Sequence, residues 1–240
     1  DNEITTTMDA PLSGDEVGLV GYWQLDEGDT FHAQDSSDIR EHGRIYGANR
    51  IDSGVFSSSS GSSFFSDAVK LDGSDDHITI TDSASLNIPG SVTMEGWFKI
   101  NSTDTQPHNL IVKGTDEDRN YSMWILGDNN GNFALHTTAY NDSGDKITAG
   151  TDHIIETDQW VHLAASIDTE DGEQRYYVNG VLAETVDMPE IQYSTFATNN
   201  SPLSIGRPGE HTEYFEGEVD ETRVWSRALD ESEIATNMLR

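Results

Sequence analysis

From Val17 onward the chain is built of short runs in which apolar and polar residues alternate. A period of two places successive side chains on opposite faces of a strand. SVTMEGWFKI (91–100) is the cleanest run: Val92, Met94, Phe98 and Ile100 share one face, Thr93, Glu95, Trp97 and Lys99 the other. QWVHLAASID (159–168) groups Val161, Leu163, Ala165 and Ile167, and GLVGYWQLDEG (18–28) sets Val20, Tyr22 and Gln24 against Trp23 and Leu25. NLIVKG, YSMWIL, NFALHTTAY, SPLSIG and GEVDETRVW read as further strands, with GDNNG (127–131) as a hairpin turn. AVKLDGSDDHITI (68–80) pairs two β-rich runs across an acidic turn containing Gly73. RYYVNGVLAETV (175–186) is a strong hairpin, because Asn179-Gly180 suits a two-residue turn with both φ positive.

Closely spaced strands predict an all-β antiparallel sandwich. One helix is expected near the C-terminus, where Asp230 can cap the chain and Glu233, three residues on, completes a capping box. The pattern does not split into two domains: residues 1–16 read as a polar leader or linker, and 17–240 as one domain. The Ser-rich stretch 52–67 reads as a mobile loop, with Phe56, Phe64 and Phe65 as anchors.

Charge changes the picture most. Asp and Glu total 44 against 13 Lys and Arg, a formal charge of −31. That balance disfavours a nucleic-acid partner, which needs a basic face. The aromatic content, in strand-like runs, argues against disorder. A dense carboxylate surface with few Lys resembles proteins of high-salt organisms, where salt screens the self-repulsion. Cysteine is absent, so disulfide and thiolate chemistry are excluded. No apolar run is long enough to span a bilayer, so membrane insertion is not expected.

GLVGYWQLDEG, DSSDIREHGRIYGA, AVKLDGSDDHITITDSASLN, SVTMEGWFKI, QWVHLAASID, RYYVNGVLAE and GEVDETRVWSRALDESEI follow one another in that order. Order and wording together resemble the laminin-G-like, concanavalin-A-like jelly-roll domains, with pentraxins as relatives of the same sandwich. The resemblance covers residues 17–240. It implies a two-sheet jelly roll, frequently with structural Ca²⁺, serving as a secreted or cell-surface glycan-binding or adhesion module of a larger protein. The partner would be a glycan, another surface polymer or a surface protein.

Four residues form the candidate metal site. Strict alternation breaks at Asp220-Glu221, and a β-bulge there accounts for the break. Ca²⁺ needs about six to eight oxygens. The resemblance implies a clip built from Asp35, a carbonyl near Gly43 and Asp220, with Glu41 able to add a carboxylate; the competing reading is an Asp220 that merely faces solvent. Glu221 is expected at the surface. By analogy with pentraxins, the loops 101–109 and 206–215 could hold a second Ca²⁺ through Asp104 and Glu210, but Arg207-Pro208 stand where ligands are expected, and ordinary acidic loops are the better reading. The same loops, with His211 and Tyr214, could instead form a Ca²⁺-independent glycan rim. No catalytic residue is assigned. Glycosidases of this fold resemble one another in an E-x-D-x-x-E strand with its acids on one face, which this chain lacks; TMEGWFK offers only Glu95. The histidines show no zinc spacing, and His162 is expected in packing.

Overall fold

Val92–Ile100 lies at the heart of one sheet, and its two faces meet different surroundings, as the alternation requires. In a computed structural model the chain is described at residues 11–28, 31–52, 67–115, 117–152, 154–207 and 214–240. Along it the strands are β1 (Leu19–Trp23), β2 (His32–Ala33), β3 (Gly43–Tyr46), β4 (Asn49–Asp52), β5 (Asp67–Asp72), β6 (His77–Ile80), β7 (Val92–Ile100), β8 (Pro107–Lys113), β9 (Tyr121–Gly127), β10 (Asn132–Tyr140), β11 (Lys146–Gly150), β12 (Ile155–Glu156), β13 (Trp160–Asp168), β14 (Glu173–Val178), β15 (Val181–Asp187), β16 (Leu203–Ile205) and β17 (Glu216–Trp225). One α-helix, α1 (Glu231–Asn237), follows β17. An eight-stranded antiparallel sheet runs β15-β14-β13-β7-β17-β5-β4 with β1 beside β17. A nine-stranded one runs β11-β10-β9-β8-β16-β6-β3-β2 with β12 beside β10. The result is an all-β two-sheet sandwich of jelly-roll type.

The inner faces interdigitate in one apolar core, where Val92, Met94, Phe98 and Ile100 meet Leu110, Met123 and Leu135. Each such side chain, fully buried, contributes roughly 1.5–3 kcal/mol. The core contains a polar joint: Gln174 Oε1 on β14 accepts from Thr137 Oγ1 on β10 and from Tyr176 OH, each at 2.6 Å, tying the two sheets together. The outer face of the eight-stranded sheet carries a second apolar cluster, formed by Leu12, Leu19, Tyr22, Ala164, Tyr177, Trp225, Leu229 and Ile234. This face is therefore roofed by both ends of the described chain. Leu12 is buried and Gly14 O accepts the N–H of Asp38, so packing extends back beyond residue 17 into the stretch that reads as leader.

The turns follow their chemistry. Asn179 and Gly180 both take positive φ, 50° and 76°, and close β14–β15. Asp230 accepts the N–H of Glu233 while the Glu233 side chain accepts the N–H of Asp230, the full capping box. Two readings are corrected. The 68–80 run is not a hairpin: β5 pairs within the eight-stranded sheet and β6 within the nine-stranded one, so the acidic turn is a corner between sheets. The chain's own carboxylates hold that corner, Asp72 accepting from Ser74 N–H at 2.8 Å and Asp76 from Asp72 N–H at 3.1 Å. In β1, a register shift between Leu19 and Gly21 puts Val20 and Trp23 together in the inner core and sends Tyr22 outward. Period two fails there because a bulge adds a residue. The expected mobile loop 52–67 falls, beyond its two ends, outside the described residues.

Candidate functional site

The expected metal clip can be judged from its donors. Asp35 is buried, and both carboxylate oxygens are engaged. Oδ1 accepts the N–H of Tyr22 at 2.9 Å and of Ser37 at 2.8 Å; Oδ2 accepts the N–H of Glu41 at 2.8 Å and the hydroxyl of Ser37 at 2.9 Å. A carboxylate offers about four lone-pair sites, so this one is saturated by protein donors. Its backbone N–H donates to His42 Nδ1, and Trp23 Nε1 donates to the carbonyl of Glu41. Glu41 Oε1 accepts from Ser85 Oγ at 3.2 Å, Gly43 pairs within β3 between Ala33 and Ile80, and Asp220 Oδ1 accepts the N–H of Glu221 at 2.9 Å. Among the described residues, the one group of three acids or histidines whose ligand atoms lie within 4.8 Å of one another is Asp72, Asp75 and Asp76. Asp35, Glu41 and Asp220 do not form such a group of three. The Asp35 carboxylate organises its loop through its four hydrogen bonds.

Asp220 and Glu221 do sit in a β-bulge, and the topology explains it. Residues 216–219 of β17 pair with β5, residues 222–225 pair with β1, and the bulge fills the junction. Against β7 the register jumps between Asp220, opposite Trp97, and Arg223, opposite Glu95. Glu221 takes φ 51°, and its carboxylate lies with Arg223 on the outer face. The expectation of a surface Glu221 fails: the residue is fully buried. Arg223 Nη2 donates to Glu221 Oε2 at 2.5 Å, Tyr22 OH donates to the same oxygen at 2.6 Å, and the guanidinium carbon lies 4.6 Å from the Tyr22 ring centre. Arg223 also donates to the carbonyls of Asn237 and Arg240.

Glu95 and His162 complete this buried cluster. Glu95 Oε1 accepts from Trp225 Nε1 at 2.9 Å and Asn237 Nδ2 at 3.2 Å, while Oε2 lies 3.5 Å from His162 Nε2. Burial pushes the Glu95 carboxyl up and the His162 imidazole down to about 3, the latter helped by the nearby Arg223 charge. Both shifts follow mainly from burial, which disfavours the charged form of each group. For Glu221, burial pushes upward and the guanidinium of Arg223 opposes it. Arg223 cannot deprotonate, and with it in direct contact Glu221 is its counter-charge. The two glutamates nearest to catalytic form thus lie beneath the C-terminal segment with protein partners. Trp97, half-buried, stacks edge-on against His162 and donates to the carbonyl of Met238.

The loops that the pentraxin analogy pairs do come together. His108 Nε2 meets Asp104 Oδ1 at 2.8 Å, and Nδ1 meets the carbonyl oxygen of Tyr214 at 2.8 Å. With one nitrogen on each loop, His108 bridges them, and it holds the Asp104 carboxyl below its ordinary range together with the N–H of Gln106, against the opposing effect of burial. Glu210 and His211 lie outside the described residues.

An open cleft of about 670 Å³ lies at one end of the sandwich, walled by Asn87, Ser91, Asp168, Thr169 and Arg227, with Val20 on its apolar side. Pockets of roughly 300–1,000 Å³ suit small ligands. At the cleft, the N–H of Tyr193 donates to the Thr169 carbonyl at 2.6 Å, and Gln192 Nε2 donates to the Glu170 carbonyl at 3.0 Å. The close approach needs Gly172, where a Cβ would lie 3.0 Å from that of Gln192. Tyr193 is 81% exposed and takes φ 60°, a region that costs a tyrosine free energy. Sequence reasoning missed it, because one aromatic in the polar run PEIQYST breaks no periodicity.

Comparison with known proteins sets this geometry in context. A family model for the concanavalin A-like lectin/glucanases superfamily, Laminin_G_3, matches residues 72–235. No curated protein matches the chain in sequence. Among solved structures, domain 4 of AbnA, an extracellular arabinanase of Geobacillus stearothermophilus solved in complex with arabinotriose, superposes with TM-score 0.64 at 22% identity, covering 94% of this chain and 99% of that one. The binding domain of Paraclostridial Mosquitocidal Protein 1 superposes with TM-score 0.69 at 18% identity, over 91% of this chain. The binding domain of botulinum neurotoxin DC, in complex with rat synaptotagmin II, gives 0.67 at 14% over 93%. This chain spans about half the length of those two toxin chains, 51% and 52%.

Proposed function

Because the chain belongs to the concanavalin A-like lectin/glucanases superfamily, we propose that it is a non-catalytic module that binds glycan outside the cell. Tyr193 carries the reading: an exposed aromatic ring, held in a costly backbone conformation, on a residue whose N–H is bonded to the carbonyl of Thr169 in the wall of a cleft of ligand size. Strained residues cluster at functional sites, and a free ring face is what a pyranose or furanose stacks upon. The cleft walls add hydroxyl, amide and carboxylate groups able to bond sugar hydroxyls. Burial of Glu95 and Glu221 supports the absence of turnover, since neither carboxyl reaches a substrate bond. The likeness to an arabinotriose-bound domain of an extracellular arabinanase supports the ligand class and the location.

Calorimetric titration with arabino- and galacto-oligosaccharides tests this. Binding is expected without product formation, weakened about tenfold or more in Tyr193→Ala with the melting midpoint held, in keeping with stacking energies. Binding that ignores Tyr193 removes the cleft as the site; silence across neutral glycans removes the reading. A protein partner is the second reading, favoured by edge strand β15, where Val181 and Leu182 are 63% and 39% exposed. It predicts capture of a surface protein that competes at Val181.

A further inference from the structure

On the outer face of the nine-stranded sheet, two arginines of this acid-rich chain stand against aromatic side chains. Acids outnumber bases 44 to 13, so a basic side chain should readily find a carboxylate. The described ion pairs engage Arg50, Lys99, Lys113, Arg175, Arg223 and Arg227. Arg44 and Arg207 are among the bases outside that set, with Arg40, Lys70 and Lys146. Arg44 and Arg207 pack against rings instead. Arg44 lies over Tyr46, 5.2 Å from its centre. Tyr46 stacks on His77, centroids 4.9 Å apart at 14°, as their paired positions on β3 and β6 dictate. Arg207 Nη1 meets His77 Nε2 at 3.4 Å, and Tyr214 closes the row, 6.2 Å from His77. His77 Nδ1 lies 2.7 Å from the carbonyl of Asp75, which fixes Nδ1 as the protonated nitrogen and leaves Nε2 to accept from Arg207. The chain thus builds one ladder, Arg44–Tyr46–His77–Arg207, with a guanidinium at each end. In the neighbouring corner, Asp72 accepts the N–H groups of Ser74 and Asp75, and Asp76 accepts the N–H of Asp72.

We propose that this ladder is a second binding site, separate from the cleft, which takes a carboxylate-bearing sugar through Arg44 and Arg207. A guanidinium presents a planar fork matched to a carboxylate. Here the rings hold each fork in place before the ligand arrives, so little side-chain entropy remains to be lost on binding. Tyr46 and Tyr214 offer phenol groups and ring edges to the sugar hydroxyls and carbons. A chain of charge −31 repels polyanions at long range, yet at 0.15 M salt the Debye length is about 8 Å, and only local charge acts. The ladder offers an acidic glycan two guanidiniums on one row of rings.

The test uses the full chain at fixed 0.15 M-scale salt, with oligogalacturonate as the probe and its methyl ester, the same backbone without charge, as the control. The expected result is binding of the acid form and about tenfold or more weaker binding of the ester, with Arg44→Gln and Arg207→Gln each reducing acid binding by about that factor. Tyr193→Ala should leave acid binding unchanged. Both arginines are exposed or half-exposed, so the variants should keep the parent's melting midpoint. Equal binding of acid and ester, or acid binding that survives the double variant, overturns the proposal. Neutral glycans bound at the cleft with no uronate bound at the ladder would sink this inference and leave the proposed function standing.

Discussion

Arg223 and Glu221, two positions apart on β17, form an ion pair at 2.5 Å with both side chains wholly inside the protein. The bulge makes this possible: it brings Glu221 out of alternation and under β1, where Tyr22 OH shares the carboxylate. Breaking a buried pair by removing one charge costs far more than the pair contributes, because the other charge stays desolvated. Glu221→Gln should therefore destabilise the fold by about 3–5 kcal/mol, a fall in melting midpoint on the order of 10 °C for a chain of this size. A drop under about 1 kcal/mol in chemical denaturation would show that water reaches Arg223.

Asp35 leads to a prediction that separates loop organisation from metal binding. Its carboxylate serves backbone N–H groups of Tyr22, Ser37 and Glu41. Each donor left unpaired on burial costs about 1–3 kcal/mol. Asp35→Ala should lower stability by on the order of 3 kcal/mol, and by the same amount in Ca²⁺ and in chelator at constant ionic strength. Ligand binding to the folded state would otherwise raise the parent's midpoint selectively in Ca²⁺. A larger loss in Ca²⁺ would return a metal to this loop.

The sandwich itself was legible because period two at 92–100 and 161–167 faces a single core, and because Asn179-Gly180 and Asp230…Glu233 carry their own local geometry. The bulge was legible too, since Asp220-Glu221 breaks the alternation between Val219 and Val224. Its consequence was not. Whether an outward carboxylate meets water depends on what covers that face, and the roof over Glu221 comes from α1 and from Leu12 and Tyr22, about 200 residues away. The corner at Asp72–Asp76 misled for a related reason. A turn's residues fix its tightness, but pairing across it depends on partners such as β17 and β3. Tyr193 and Arg44 escaped notice because exposure and the absence of a partner leave no periodic trace.

His162 gives a pH dependence whose sign can be worked out. Its ordinary value is 6.5 and burial takes it to about 3 in the folded protein. Between those values the unfolded chain takes up a proton that the folded chain refuses, so acid removes stability across that window, by up to about 1.4 kcal/mol per pH unit. The raised carboxyl of Glu95 acts the other way: its share is complete below pH 4.5 and fades as pH rises through its folded value. His162→Gln removes the histidine share alone. Measured by denaturation between about pH 6.5 and about pH 4, the variant should lose less stability per pH unit than the parent. Parallel curves would mean that the imidazole is protonated inside the fold.

Tyr193 offers a test in which stability and binding move apart. At φ 60° a side chain with a Cβ is strained, and glycine is not. Tyr193→Ala and Tyr193→Gly both delete the ring, so both should lose neutral-glycan affinity to the same extent. They differ only at the backbone, and there the strain relieved in glycine, about 1 kcal/mol or more, outweighs the extra freedom that glycine gains when unfolded, about 0.5–1 kcal/mol. The glycine variant should thus melt at or above the alanine variant, while neither binds sugar as the parent does. Should the alanine variant prove the more stable, position 193 does not hold its left-handed conformation in solution. The ring would then be a mobile surface group, and the cleft would lose the feature that singles it out.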